Sequence, residues 1–259
     1  MRAVLTRDAE RSREYVAALA QHGIIATCLP VTTTAPALDQ AALLGAARVA
    51  ATYDAIGFAS HASVRPFVTA LTASGAAIGP NTLVVAVGAA TQRALAEHGI
   101  AATVAELANA AGLAATIVAQ LTAHRRIGRG APARVLLPRA EDGRVEAGIT
   151  LRSVGLIVDE VIAYRTLPRA AASLSQLETQ LLTELRTGAI AALCIFAPSQ
   201  VAALATLLGT APNLPPNIAQ RFIAIGETTA QALRHAGITH VTVAQAPTPQ
   251  ALAAATVLA

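Results

Sequence analysis

The sequence contains no lysine; all 19 of its basic residues are arginine. Schiff-base chemistry, a pyridoxal-phosphate anchor and the lysine of a phosphate-binding P-loop are thereby excluded together. Cysteine is nearly as scarce. Cys28 and Cys194 both sit in apolar β-like runs without CxxC or Cys/His ligand spacing, so they read as buried free thiols, with neither a disulfide nor a metal site expected. Aromatic residues make up only 3% of the chain, which leaves few stacking platforms for nucleic acid. Neither GxGxxG nor GxSxG occurs, which disfavours a dinucleotide-binding protein and a hydrolase with a nucleophile elbow. No apolar h-region with a cleavage site follows Met1. No secretory signal is visible, and a cytoplasmic protein is expected.

Hydrophobic residues are abundant at 54%, but much of that is alanine. A positive mean hydropathy of this kind does not by itself indicate a membrane protein. The uncharged run from Thr187 to Gln220 is long enough to suggest a span. Pro198 and Ser199 divide it into a short β-like piece and a short helical piece, so it reads as buried strand, turn and helix, and no membrane partner is expected. The net charge of +4, carried by planar guanidinium groups, suits a carboxylate or phosphate ligand. One basic cluster, HRRIGRGAPAR from His124 to Arg134, reads as a solvated loop, and no nucleic-acid partner is assigned to it.

What the chain does contain is the same sentence written twice. AVGAATQRALAEHGI (Ala86–Ile100) and AIGETTAQALRHAGI (Ala224–Ile238) place Gly88 with Gly226, Thr91 with Thr229 and Gly99 with Gly237. Strand candidates at Ala3–Thr6, Ile24–Cys28, Ala55–Ala59, Leu83–Val87 and Ala101–Val104 are followed by a second set. That set comprises Val135–Pro138, Leu156–Asp159, Ile190–Phe196, Phe222–Ile225 and His240–Val243. Amphipathic segments lie between most of them, each stopped by a glycine. The alternation predicts parallel α/β sheets, and the matching order of the two sets an internal duplication. Two partitions fit. A tandem cut falls near Arg129. A crossed cut uses LPVTTTAP (Leu29–Pro36) and IAYRTLP (Ile162–Pro168), and gives residues 1–31 with 169–259 as one discontinuous domain and 36–164 as an inserted one. Residues 32–35 and 165–168 then connect them. The β-branched, proline-bearing character of both crossing segments favours the second cut.

In order, VLTR (Val4–Arg7), FASHASV (Phe58–Val64), AVGAAT (Ala86–Thr91), LLPRAEDGR (Leu136–Arg144), IVDEVIAYRT (Ile157–Thr166), FAPSQV (Phe196–Val201), AIGETTAQAL (Ala224–Leu233) and APTPQAL (Ala246–Leu252) resemble the uroporphyrinogen-III synthase family along nearly the whole chain. Each motif alone is weak; their order and spacing are specific. The resemblance implies two flavodoxin-like domains joined by a two-stranded β connector, the first domain assembled from both chain ends. It implies a monomeric lyase that converts the linear tetrapyrrole hydroxymethylbilane to uroporphyrinogen III, inverting the last ring and releasing water. No metal or organic cofactor is implied. The competing reading is a non-catalytic bilobal protein that binds a small acidic ligand.

Gly88 with Thr91, and Gly226 with Thr228 and Thr229, fall where unpaired first-turn N–H groups and hydroxyls meet a ligand carboxylate, or where a threonine merely caps its own helix. Arg139 and, less strongly, Arg7 follow strand ends, where open α/β sheets bind ligands. Ser60, Ser63, Pro198 and Ser199 follow strands in the same way, with His61 beside Ser60 expected to be exposed. Ala197 stands where the family often carries serine, so a backbone contact is expected there. For Tyr164 the resemblance implies a proton donor to the departing hydroxyl, in contact with the ligand rather than fully buried. A phenol has a proton to give.

Overall fold

The structure, a computed structural model, describes residues 1–124 and 131–258. The middle of the basic stretch read above as a solvated loop, residues 125–130, lies outside the described residues. The fold is mixed α/β with parallel sheets and ten α-helices among the described residues. From the N-terminus the elements are β1 (Arg2–Leu5), α1 (Ala9–Gln21), β2 (Ile25–Cys28), β3 (Thr32–Pro36), α2 (Gln40–Arg48), β4 (Ala55–Phe58), α3 (Val64–Ser74), β5 (Leu83–Ala86) and α4 (Ala89–Ala96). Then come β6 (Thr103–Val104), α5 (Ala110–Ala123), β7 (Arg134–Ala140), α6 (Glu146–Ser153) and β8 (Ile157–Pro168). The chain finishes with α7 (Gln176–Arg186), β9 (Ala192–Ile195), α8 (Pro198–Leu208), β10 (Arg221–Ala224), α9 (Glu227–His235), β11 (Val241–Val243) and α10 (Pro249–Leu258). Among the described residues no helix is long and apolar enough to cross a membrane.

The chain forms two compact units, Met1–Thr33 with Leu167–Ala259, and Thr34–Thr166. In the first, a five-stranded sheet runs β11-β10-β9-β1-β2. Side chains alternate strictly between its faces. Ala3, Leu5, Ala192, Cys194 and Ile223 pack with α1 and α10, while Val4, Leu193, Ile195, Phe222 and Ala224 pack with α7, α8 and α9. Continuous apolar strands of this kind are what a sheet covered on both faces requires. Because the unit is built from two chain segments, something must tie them, and Arg169 does so. Its guanidinium donates to both carboxylate oxygens of Glu178 (2.6 and 3.2 Å), to the Pro30 carbonyl (3.1 Å) and to the Ser173 carbonyl (2.7 Å). Its backbone N–H donates to Val31 O (2.9 Å). Glu178 also closes a capping box with Ser175 at the start of α7.

The second unit has the sheet order β3-β8-β7-β4-β5-β6. Ile56, Phe58, Val84, Ala86 and Leu136 face α2, α3 and α4; Ala55, Val85, Val135 and Leu137 face α5 and α6. Gly57 lets α5 approach, since a Cβ there would lie 2.8 Å from both Ile117 Cδ1 and Leu137 Cδ2. Gly112, in the first turn of α5, is held more tightly still: a Cβ there would run into the Leu107 carbonyl.

Four readings need correction. Pro198 and Ser199 are not a turn but the first turn of α8, with proline where its missing N–H goes unused. The strand read as Leu156–Asp159 does not stop there but runs through the crossing segment to Pro168 as one strand of 12 residues, β8. Only Thr103 and Val104 of the Ala101–Val104 run form a strand. Cys28 is half-buried, on the edge strand β2, whereas Cys194 is fully buried and its thiol is pushed up to about 12 by that burial.

Two outcomes are expected. Gly112→Ala should lower stability by about 1–3 kcal/mol through overpacking, whereas Gly45→Ala in α2, whose Cβ would meet nothing within 4 Å, should raise it by about 0.5–1 kcal/mol; denaturant titration reads both. The hydrogen bonds from Arg169 hold Glu178 down at about 2, from an ordinary value of 4.5. The stabilisation is therefore complete above the unfolded-state value and is lost as the pH falls from 4.5 towards about 2. Glu178→Gln should flatten the acid side of the stability profile in that window.

Candidate functional site

The doubled sentence folds into the same object twice. Two residues beyond the ends of β5 and β10, Gly88 and Gly226 open α4 and α9 from extended backbone, at φ −172°, ψ 173° and φ −175°, ψ 172°. Burial repeats as well. Val87 and Gly88, like Ile225 and Gly226, are half-buried; Ala89 and Ala90, like Glu227 and Thr228, are exposed; Thr91 and Thr229 are buried at 3% and 1% exposure.

Neither glycine is required by the backbone, because φ near 180° suits any residue. Neither is required by packing: a Cβ on Gly226 would meet nothing within 4 Å, and one on Gly88 only the Ala108 Cβ at 3.8 Å. What glycine does here is leave the helix start bare. At α1, α2, α5 and α7 the side chains of Asp8, Asp39, Asn109 and Ser175 accept a first-turn N–H. At α4, α8 and α9 the capping positions are Gly88, Ala197 and Gly226, which have nothing to offer. The N–H groups of Ala89, Ala90, Thr91, Glu227 and Thr228 accordingly donate to no acceptor among the described residues. Thr229 keeps a backbone bond to Gly226 O (3.1 Å), but its buried hydroxyl has no partner among the described residues, an uncommon state for a buried polar group. Glu227 turns its carboxylate along the helix to Arg234 (2.7 Å). Bare N–H groups with the positive end of a helix dipole behind them favour an anion.

Beside the α9 turn, at the ends of the central strands β1 and β9, Gln200 fixes the geometry. Its Oε1 accepts from the Phe196 N–H (2.8 Å) and from the Thr6 hydroxyl (2.7 Å), and that hydroxyl also reaches Cys194 O (3.1 Å). Gln200 and Thr6 were not among the expected residues; the signal for Gln200 is a polar residue directly before the apolar run Val201–Ala205 of α8. Arg7 follows Thr6 and is half-buried, its guanidinium carbon 4.8 Å from the Phe196 ring centroid and 5.4 Å from that of Tyr15. Pro198 and Ser199 are exposed in the first turn of α8.

In the second unit the expected residues collect at the ends of β4, β5 and β7 and on β8. The Tyr164 hydroxyl donates to Ser60 Oγ (3.2 Å), which also accepts the Ala62 N–H (3.2 Å). The ring is not open as expected: Tyr164 is 8% exposed and belongs to the core beside Phe58, Val161 and Ala163. The cause is local. Against β7 the register of β8 slips by one residue, so that Arg139 faces Ile162 but Ala140 faces Tyr164. Simple alternation after Val161 and Ala163 would have turned Tyr164 outward; the slip puts it on the buried side.

Three further expectations change. Ser63 is fully buried and its hydroxyl donates to Ser60 O (2.7 Å). His61 is half-buried rather than exposed. Arg139 is already engaged: Nε lies 2.6 Å from Glu160 Oε2, and one terminal nitrogen donates to the carbonyls of Ala140 (3.0 Å), Glu141 (3.1 Å) and Gly143 (3.4 Å). It holds the loop after β7, and Glu160, shared with Arg152 (2.7 Å), anchors it.

Compared with known proteins, the chain matches the family model described as uroporphyrinogen-III synthase HemD over residues 13–254. No curated protein sequence matches it. Among solved structures it is similar to uroporphyrinogen-III synthetase from Helicobacter pylori, with 16% identity, TM-score 0.55, and 100% of this chain and 99% of that one covered. It is also similar to a mutant uroporphyrinogen III synthase from Thermus thermophilus, with 21% identity, TM-score 0.54, and 97% and 95% covered. These likenesses establish the fold, and the match along 13–254 establishes the kinship: the chain belongs to the uroporphyrinogen-III synthase family.

Proposed function

We propose that the chain is a uroporphyrinogen-III synthase, a cyclising hydro-lyase that turns hydroxymethylbilane into uroporphyrinogen III and water in tetrapyrrole biosynthesis. The observation that carries this reading within the family is the pair of uncapped Gly-Thr helix starts, one in each unit, offered to a substrate that bears carboxylates on every ring. Two flavodoxin-like domains, residues 1–31 with 169–259 and residues 36–164, joined by 32–35 and 165–168, are part of the proposal. Strand order supports it: counted from β1 in one sheet, and from β7 in the other with the edge strand β3 set aside, both read 2-1-3-4-5.

The chemistry follows from what each group can do. Departure of the terminal hydroxyl as water leaves an electrophilic azafulvene. The substituted carbon of the far ring attacks it, and the spiro species so formed reopens and recloses with that ring inverted. Tyr164 supplies the proton to the departing hydroxyl, and Ser60, which accepts its hydrogen bond at 3.2 Å, fixes the phenol. The open turns at Gly88 and Gly226, with Thr91, Thr228 and Thr229, hold carboxylates. Ser199 and the backbone after Ala197 add donors in the first unit. Arg139 acts at one remove, by shaping the loop after β7. A single general acid contributes about 10²–10⁴-fold, whereas proximity and orientation supply up to about 7–11 kcal/mol. Holding the chain in the folded-back conformation is therefore the larger part of catalysis, and it decides which isomer forms.

The reading is tested by supplying fresh hydroxymethylbilane, oxidising the products and separating the type I and type III isomers. The type III isomer is expected to dominate; a protein that only binds acids would leave the spontaneous type I. Tyr164→Phe should lower kcat by about 10²–10⁴-fold while the residual product stays type III, because the phenol moves a proton and does not choose the ring face. Gly226→Ser and Gly88→Ser should fold normally, shifting stability by no more than a few tenths of a kcal/mol. Each new hydroxyl would occupy a first-turn N–H, and kcat/KM should fall by about 10- to 100-fold, the worth of a hydrogen bond to a charged group. Unimpaired turnover in both serine variants would remove the open turns from the mechanism.

A further inference from the structure

The duplicated scaffold carries one arginine at the same point of each sheet, and the two have different surroundings. Arg139 follows β7 and is bound to Glu160 and three carbonyls. Arg7 follows β1 and makes no ion pair among the described residues. The neighbouring carboxylate, Asp8, is taken by Arg11, whose N–H donates to Oδ1 (2.9 Å) and whose Nε lies 2.8 Å from Oδ2. In place of a counter-ion Arg7 has two rings. Its guanidinium carbon lies 4.8 Å from the Phe196 centroid and 5.4 Å from the Tyr15 centroid, within cation–π range of both. The rings brace each other edge to face, with centroids 5.0 Å apart and planes at 86°. Tyr15 is anchored in turn by donating to Pro247 O (3.2 Å), and Phe196 by its N–H bond to Gln200 (2.8 Å).

This cluster stands where the sheet order reverses. β1 and β9 are neighbours, and the chain leaves β1 for α1 on one face and β9 for α8 on the other. In open parallel sheets that point is where ligands bind. Burial lowers the Arg7 pKa and raises that of Tyr15; a cation kept there with only Asp8 nearby, itself paired with Arg11, loses solvation that an anionic ligand would restore. Ring contacts occupy the face of the guanidinium, and the edge donors not turned to the Tyr15 hydroxyl are left for a bidentate partner.

We propose that Arg7 is a second anion receptor of the first unit, beside the open turn at Gly226, and that Phe196 and Tyr15 are positioning residues that hold its guanidinium edge ready for one carboxylate of a polycarboxylate ligand. This deepens the proposed function and rests on it.

The experiment measures binding of uroporphyrin III, the stable oxidised form of the expected product, by fluorescence titration at low salt, alongside the isomer assay on the same preparations. Arg7→Gln should weaken binding by about 10- to 100-fold. Phe196→Leu should weaken it by a similar factor, Phe196→Tyr should restore it, and adding Phe196→Leu to Arg7→Gln should cost no more than about another twofold, because the ring acts through the guanidinium. Should Phe196→Leu fail to fold, Tyr15→Leu carries the same cycle. Wild-type affinity in Arg7→Gln, no binding by the wild type, or an equal cost of the ring substitution with and without Arg7 would each overturn the proposal. If any of these occurs while the wild type still makes the type III isomer, the inference falls and the function stands. If only type I forms while Arg7→Gln still loses the porphyrin, the function falls and Arg7 remains an anion receptor.

Discussion

A helix begins with N–H groups that nothing inside it can accept, and a protein must either cap them or give them to something else. In this chain the choice is made helix by helix. Asp8, Asp39, Asn109 and Ser175 close four helix starts with their own oxygens, while Gly88 and Gly226 leave two others open at corresponding points of two sheets. Since neither glycine is needed for backbone conformation or for packing, their absence of a side chain is best understood as access. The parallel sheets serve that end: they fix the ends of β5 and β10 rigidly, so that the bare turns are presented by a scaffold buried on both faces.

Duplication supplies two copies of this device, and the residues around it have diverged. In the first unit the arginine after β1 is held by rings and makes no ion pair among the described residues. In the second the corresponding arginine is bound to Glu160 and organises the loop after β7. The second unit instead carries the Tyr164–Ser60 pair. Equivalent positions of one architecture thereby have different surroundings in its two copies. The Tyr164 ring owes its fixed place in the core to the register slip in β8 that turns it inward.

Much of this could be read before any coordinates. Apolar strands of β-branched and aliphatic residues, glycine stops and the repeated Gly/Thr spacing carry the α/β alternation and the duplication, because each is set by local periodicity. What escaped reading depends on contacts distant in sequence. Pro198 reads as a breaker and is a helix start, since the same residue serves both. The slip opposite Ala140 leaves no mark in the composition of β8. Arg139 and Arg7 read alike as arginines after a strand, and only the placement of Glu160 beside one and of Phe196 and Tyr15 beside the other tells them apart. Gln200, which ties the ends of β1 and β9, is visible only once Thr6 and Phe196 are brought to it.

The central claim is that open helix starts receive the carboxylates of the ligand, and the amide protons themselves report on it. In an ¹⁵N-resolved NMR titration with uroporphyrin III, the amides of Ala89, Ala90, Thr91, Glu227 and Thr228, which donate to no acceptor among the described residues, should move downfield and gain protection from exchange. Those of Arg11, Ala42, Gly112 and Glu178, already bonded to capping side chains, should stay where they are. Saturable binding that leaves the first group unmoved would contradict the account.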